Sequence, residues 1–267
     1  MTRRRALLAT LVAVALAGCS GSAAAPSPAA GSELVVYAAA SLTEVLTDVT
    51  VAYEAARPGT SIVLSTDSSA ALATKIEQGA PADVFLSADT ANAQRLADAG
   101  LAAGAPVMFA TNGLAVIVPA GNPANLASAA DLARPGLKVI AAAESAPITE
   151  YASQLVANLA REPGYPPGFE TAYAANIASR EDNVAGIVAK VALGEGDAGI
   201  VYATDARGSG QVAAIDVPAE ANVPATYAGV VIAASSDVTG ATAFLDWLAG
   251  PDGQAILAAA GFTEPGG

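Results

Sequence analysis

Histidine is absent from all 267 residues, and cysteine occurs once, as Cys19. The first absence removes Ser-His-Asp and Cys-His nucleophile systems, histidine-ligated zinc and an imidazole general base. The second excludes an intramolecular disulfide. None of the three lysines, Lys75, Lys138 and Lys190, closes a Ser-x-x-Lys pattern, and no Gly-x-Ser-x-Gly elbow occurs. Positive charge is also scarce, with 12 basic residues against 25 acidic ones. A nucleic-acid partner, which needs basic patches, is therefore disfavoured, as is an anionic lipid surface. A small anionic ligand would have to be held by local donors that outweigh the overall field. What the chain does have is apolar residues, 53% of the total, enough for a sizeable core.

Arg3, Arg4 and Arg5 precede the apolar run Ala6–Leu16, too short to cross a bilayer and flanked like a signal peptide. The run ends in "LAGC" (Leu16–Cys19), which resembles the bacterial lipobox, so residues 1–18 are expected to be removed and Cys19 acylated. Losing the three arginines takes the formal charge from −13 to −16. Residues 19–32, "CSGSAAAPSPAAGS", read as a tether of small residues and proline, anchoring an extracytoplasmic domain that starts near Glu33.

Beyond the tether, short apolar runs alternate with longer helical patterns. "LVVY", "SIVLS" and "DVFLS" each lead into a helix, near 42–56, 70–78 and 90–99, closed by glycine or proline. Further strands are predicted at "GLAVIVP", "LKVIAAA", "AGIVYA", "VAAIDV" and "GVVIAA". Helices are predicted near 149–160, 184–193, 241–248 and 252–260. Alternation of this kind argues for α/β architecture with parallel sheets of βαβ units. Turn signals divide the chain into two lobes, residues 33–111 with 229–267 in one and residues 112–228 in the other. "GEGDAG" (Gly194–Gly199) matches a dinucleotide fingerprint in the wrong context: a helix precedes it and a strand follows, so it reads as a helix end and turn.

Four helix starts carry the polar chemistry. Ser41 lies three residues before Glu44, the spacing of a capping box. Ser68 and Ser69 open the next helix, Pro147 sits just inside another, and Asp182 and Asn183 precede a fourth. Each is an ordinary cap taken singly. Yet the first N–H groups of a helix have no intrahelical partner and carry the positive end of its dipole, so an anion can replace a capping oxygen. If the four starts meet at one crevice outside the carboxyl ends of the strands, they form an anion site.

"YAAASLTEVL", "KIEQGAPADVFLSAD", "DNVAGIVAKVALGEGDAGIVYATDA" and "GPDGQAILAAAGF" together resemble the periplasmic molybdate-binding proteins of ABC transporters, over about residues 33–262. The resemblance implies a two-lobed type II periplasmic-binding fold, each lobe a mainly parallel sheet flanked by helices, with the ligand in the interlobe cleft. It implies a monomer that captures molybdate, and tungstate with it, and delivers it to a permease with a cytoplasmic ATPase. No cofactor is implied, and no side chain ligates the metal, since molybdenum is bound as its oxyanion. Carried over position by position, Ser41, Ser69 and Tyr202 supply side-chain donors, and Ile148 and Val184 supply backbone N–H groups.

Two features depart from the family pattern. "SAPIT" around Ile148 is looser, and Asp67 stands two residues before Ser69, where a small neutral residue is usual. A carboxylate beside a dianion repels it unless the carboxylate turns away as a cap or accepts a proton from the ligand. Hydrogen phosphate offers that proton; molybdate, fully deprotonated near neutral pH, does not. The same fold serving phosphate or sulfate is therefore the nearest alternative. The rival from another class is a surface lipoprotein hydrolase acting on an anionic substrate.

Overall fold

The computed structural model describes residues 32–266. The expected leader, Cys19 and all but the last residue of the expected tether lie outside the described residues.

The chain opens with β1 (Ser32–Ala39), a 3-10 turn at Ala40–Leu42, α1 (Thr43–Ala56), β2 (Thr60–Asp67), α2 (Ser69–Glu77), β3 (Val84–Ser87), α3 (Thr90–Asp98) and β4 (Val107–Asn112). It crosses through Gly113 into β5 (Leu114–Pro119), then β6 (Val139–Ala142), α4 (Pro147–Leu159), α5 (Phe169–Ala175), β7 (Ile177–Glu181) and α6 (Val184–Ala192). There follow β8 (Ala198–Tyr202), α7 (Ala203–Gly208), β9 (Val212–Ile215), β10 (Ala225–Val231), α8 (Val238–Ala249) and α9 (Pro251–Ala260).

Two five-stranded sheets result, ordered β2-β1-β3-β10-β4 and β7-β6-β8-β5-β9. In each, one strand pairs in parallel with two neighbours: β1 with β2 and β3, β6 with β7 and β8. These are the βαβ units expected from the sequence. The remaining ladders, β10 with β3 and β4, and β5 with β8 and β9, are antiparallel. The sheets are therefore mixed, because in each the first strand after a crossing, β10 in one and β5 in the other, runs against its neighbours. β10 joins the first sheet from Ala225, four residues before the return expected at Gly229. The run "GVVIAA" marks only the apolar second part of that strand, and "ATY" carried no such signal.

Four elements escaped the sequence pattern. β4 has no clean alternation, β7 alternates half-buried with exposed residues, and α5 and α7 are only seven and six residues long. Residues Ser179–Glu181, read as the approach to a helix, belong to β7. Gly194 adopts φ 74° after α6, a left-handed turn that ends the helix, and the chain re-enters the sheet at Ala198.

Close packing of α6 on the second sheet brings the start of α6 and the end of β8 to one place. It depends on Gly199 in β8: a Cβ there would lie 2.5 Å from Ile187 Cγ2 of α6 and 3.1 Å from the Ile140 carbonyl of β6. Neither the β-branched side chain nor the strand backbone can yield cheaply. Gly199→Val is expected to destabilise the protein by about 1–3 kcal/mol, read as a lower urea midpoint at unchanged slope. An unchanged midpoint would show that the α6–β8 contact relaxes freely.

Candidate functional site

Six chain segments, each following a parallel strand, turn toward one small cavity of about 20 Å³. From the first sheet come Ala39–Ser41 after β1, Asp67–Ser69 after β2 and Ala88 after β3. From the second come Ala146–Ile148 at the start of α4, Asn183 and Val184 at the start of α6, and Tyr202 at the end of β8. Ser41, Ser69, Ile148, Val184 and Tyr202, five residues picked from distant parts of the sequence, thus line a single space, and all are buried. The place is the crevice outside the carboxyl ends of the strands, where α/β sheets bind ligands. No lysine or arginine lines it.

The donors are arranged for an acceptor-only guest. α2 begins at Ser69 and α4 at Pro147, and no side-chain oxygen caps either helix. The first-turn N–H groups of α2 are left to whatever occupies the cavity, and at α4, where Pro147 has none and Thr149 donates to the Ala146 carbonyl at 2.9 Å, so is that of Ile148. Val184 is the first residue of α6, capped only by a 3.3 Å contact from the Gly186 N–H to Asn183 Oδ1. Ser69 Oγ accepts the Ala88 N–H at 3.0 Å, which leaves its own proton to donate. Tyr202 is 1% exposed, and its hydroxyl has no partner among the described residues. A buried hydroxyl without a partner costs about 1–3 kcal/mol, so this group too awaits an acceptor. Burial, reinforced by Tyr227 and Tyr151, pushes its pKa well above 10, which keeps it a donor at any physiological pH.

Ser41 does not cap a helix. It lies inside the 3-10 turn, and its Oγ is 2.9 Å from the Tyr227 hydroxyl. The Glu44 carboxyl, expected to reach back to it, lies instead against Gly208 of α7. The capping box suggested by the spacing is overturned because the tight turn advances the helix start to Thr43. Of the expected capping pair before α6, Asn183 is the N-cap and Asp182 is not.

Asp67 is the cavity's one carboxylate, and both of its oxygens are engaged. Oδ1 accepts the Ser68 N–H at 2.8 Å and the Asn183 Nδ2 amide at 3.2 Å; Oδ2 accepts Lys75 Nζ at 3.0 Å. Burial acts to raise its pKa, but Lys75, the Ser68 N–H and Asn183 outweigh it and hold the carboxyl below its ordinary value. Asp67 therefore stays ionised, paired with Lys75, and ties the start of α2 in the first sheet's half to the start of α6 in the second's. Asn183 was expected as a cap, but this bridge escaped the sequence reading, since the partners are 116 residues apart and no local pattern joins them.

A larger groove of about 620 Å³ also borders Ser41, between α1, α6, α7 and α9. It is faced by Glu44, Asp48 and Asp205, with Arg207 beside them. Burial and the nearby Glu44 raise Asp205 to about 7, against the opposing Tyr202 N–H. Three carboxyl groups make this groove a poor host for an anion.

A family model described as bacterial extracellular solute-binding protein matches residues 34–263. Among curated proteins, the molybdate-binding protein ModA of Mycobacterium tuberculosis is 35% identical over 264 residues, covering 97% of each chain. Among solved structures, the periplasmic molybdate-binding protein of Azotobacter vinelandii superposes with a TM-score of 0.73 at 24% identity, covering 87% of this chain and 99% of that one. The sulfate-binding protein SubI of M. tuberculosis gives 0.76 at 22% identity, covering 88% of each. At these identities the two structures speak for the fold alone.

The Asp67–Lys75 pair fixes one pH dependence. Because the carboxyl's folded pKa is depressed, the pair contributes above the ordinary carboxylate value near 4 and fades as pH falls through the lowered one. Both side chains are partly exposed, so the pair's worth is at most about 1 kcal/mol. Lys75→Met should lower the melting midpoint by up to about 3 °C at pH 7. The midpoints of variant and wild type should converge as pH falls through the carboxyl's lowered pKa. A gap that persists in acid would contradict the pairing.

Proposed function

Since the chain belongs to the bacterial extracellular solute-binding protein family, we propose that it captures molybdate outside the cytoplasm and delivers it to an ABC importer. The family is one of solute-binding transport proteins, not of enzymes. The observation that carries the reading is the convergence of Ser41, Ser69, Ile148, Val184 and Tyr202 on one cavity with no cationic side chain. The molybdate-binding relative at 35% identity over nearly the whole chain supports the choice of anion.

In this reading the anion is held wholly by hydrogen-bond donors. Ser41, Ser69 and Tyr202 give hydroxyl protons, while Ile148 and Val184 give N–H groups from the first turns of α4 and α6. A hydrogen bond to a charged partner contributes about 1.5–3 kcal/mol, so a handful offsets desolvation of the anion. Ser41 and Ser69 belong to the first sheet's half and the others to the second's, so opening the cleft divides the donor set and weakens every shared grip at once. Release to a permease and its ATPase follows from that division.

Asp67 favours a fully deprotonated oxyanion. Hydrogen phosphate would ask it to accept a proton, yet Oδ1 already holds Ser68 and Asn183, and the one site left is on Oδ2, which is paired with Lys75. Tungstate, with the same charge and nearly the same size as molybdate, belongs to the same reading. So do a monomeric state and attachment to the membrane through acylated Cys19.

Calorimetric titration with molybdate, tungstate, sulfate and phosphate tests the proposal. Molybdate and tungstate should bind tightly and phosphate not at all. Ser41→Ala and Tyr202→Phe should each weaken molybdate by about 10- to 100-fold, the worth of one charge-assisted hydrogen bond. Wild-type affinity in both variants, or tight phosphate binding with silence from molybdate, would overturn it.

A further inference from the structure

Behind Ser41 stands a residue that reaches the cavity only through others. Tyr227, on β10, is wholly buried, and its Oη lies 2.9 Å from Ser41 Oγ. Its ring meets Tyr202 edge-on at 5.6 Å between centroids, and is itself wedged by Phe262 at 5.4 Å and Phe109 at 6.1 Å. One side chain thus touches a donor from each half of the cleft.

The direction of the hydrogen bond decides what Ser41 can do. A serine hydroxyl has one proton and two lone pairs. If the proton points at Tyr227, Ser41 turns lone pairs toward an anion and repels it. If the phenol donates instead, the Ser41 proton is left for the cavity. Given the oxyanion reading above, we propose that Tyr227 is the positioning residue for Ser41: its O–H donates to Ser41 Oγ, which directs the serine's own proton at the anion, while its ring holds Tyr202 in place.

The surroundings of the phenol agree with this direction. Its polar neighbour Asn112 donates Nδ2 to Thr204 Oγ1 at 2.8 Å, and Asn112 Oδ1 has no partner among the described residues, so it takes no proton from Tyr227. Burial, reinforced by the charge of Asp205, pushes the Tyr227 pKa well above 10. The proton is therefore always present to be given. A donor that is itself a hydrogen-bond acceptor is polarised, so Ser41 binds an anion more strongly with Tyr227 behind it.

The test is a double-mutant cycle on the full chain, Tyr227→Phe against Ser41→Ala, with molybdate as the titrant. Tyr227→Phe keeps the ring and removes one oxygen. It should weaken molybdate by about tenfold in the wild-type background and by less than about twofold when Ser41 is already alanine. A purely structural role would cost the same factor in both backgrounds, and that result overturns the inference, as does wild-type affinity in Tyr227→Phe. If Ser41→Ala alone leaves molybdate affinity intact, the oxyanion reading itself fails. A second readout uses the unaltered protein: molybdate should perturb the near-ultraviolet tyrosine spectrum, and Tyr227→Phe should diminish that difference. An identical difference spectrum in the variant also counts against the inference.

Discussion

The structure rests on a geometric consequence of parallel pairing. When strands run in the same direction, the helices that follow them start at the same edge, and each start exposes N–H groups that its own helix cannot satisfy. Here β1, β2 and β3 of one sheet and β6, β7 and β8 of the other all end facing the same space. Left alone, that concentration of donors and positive dipole ends would be unfavourable, and side-chain caps would normally quench it. At α2 and α4 they do not. In the proposed reading the unsatisfied donors are the binding capacity of the site, and the buried Tyr202 hydroxyl adds one more of the same kind.

Selecting neutral donors over fixed cations sets both the shape and the chemistry of the guest. A lysine would attract any anion at long range, whatever its geometry. N–H and O–H groups held by strand ends act only at hydrogen-bond distance and only along fixed directions. The small cavity volume adds a size limit. Asp67, which looks out of place beside an anion, is consistent with this scheme once its partners are seen. Its charge is matched by Lys75 and its oxygens are spent on holding two helix starts together.

Much of this was legible in the sequence because it was local. A strand ending in small residues before Ser41, serines opening α2 and Pro147 inside α4 are short-range patterns; the tyrosine closing "GIVY" came only from the family resemblance, and the structure brings all of them to one cavity. What was not legible is long-range or geometric. Tyr227 meets Ser41 across 186 residues, and Asp67 meets Asn183 across 116. The spacing of Ser41 and Glu44 suggested a cap that a 3-10 turn removes, a difference of one turn of backbone that residue identity does not encode. β4 was missed because its burial does not alternate, and β7 because its alternation is only of half-buried with exposed residues, with no apolar run to mark it.

The lack of a cation in the cavity also bears on how fast a guest arrives. The molecule carries a formal charge of −13, and no lysine or arginine in the cavity lining draws an anion inward. An approaching dianion climbs a repulsive field until the last few ångströms, where the donors take hold. Mobile ions in the medium flatten that field over a Debye length of about 8–10 Å at moderate salt. Encounter should therefore quicken as ionic strength rises, the opposite of electrostatically steered capture. Such a receptor suits saline surroundings, and its selectivity is expressed after contact instead of during approach.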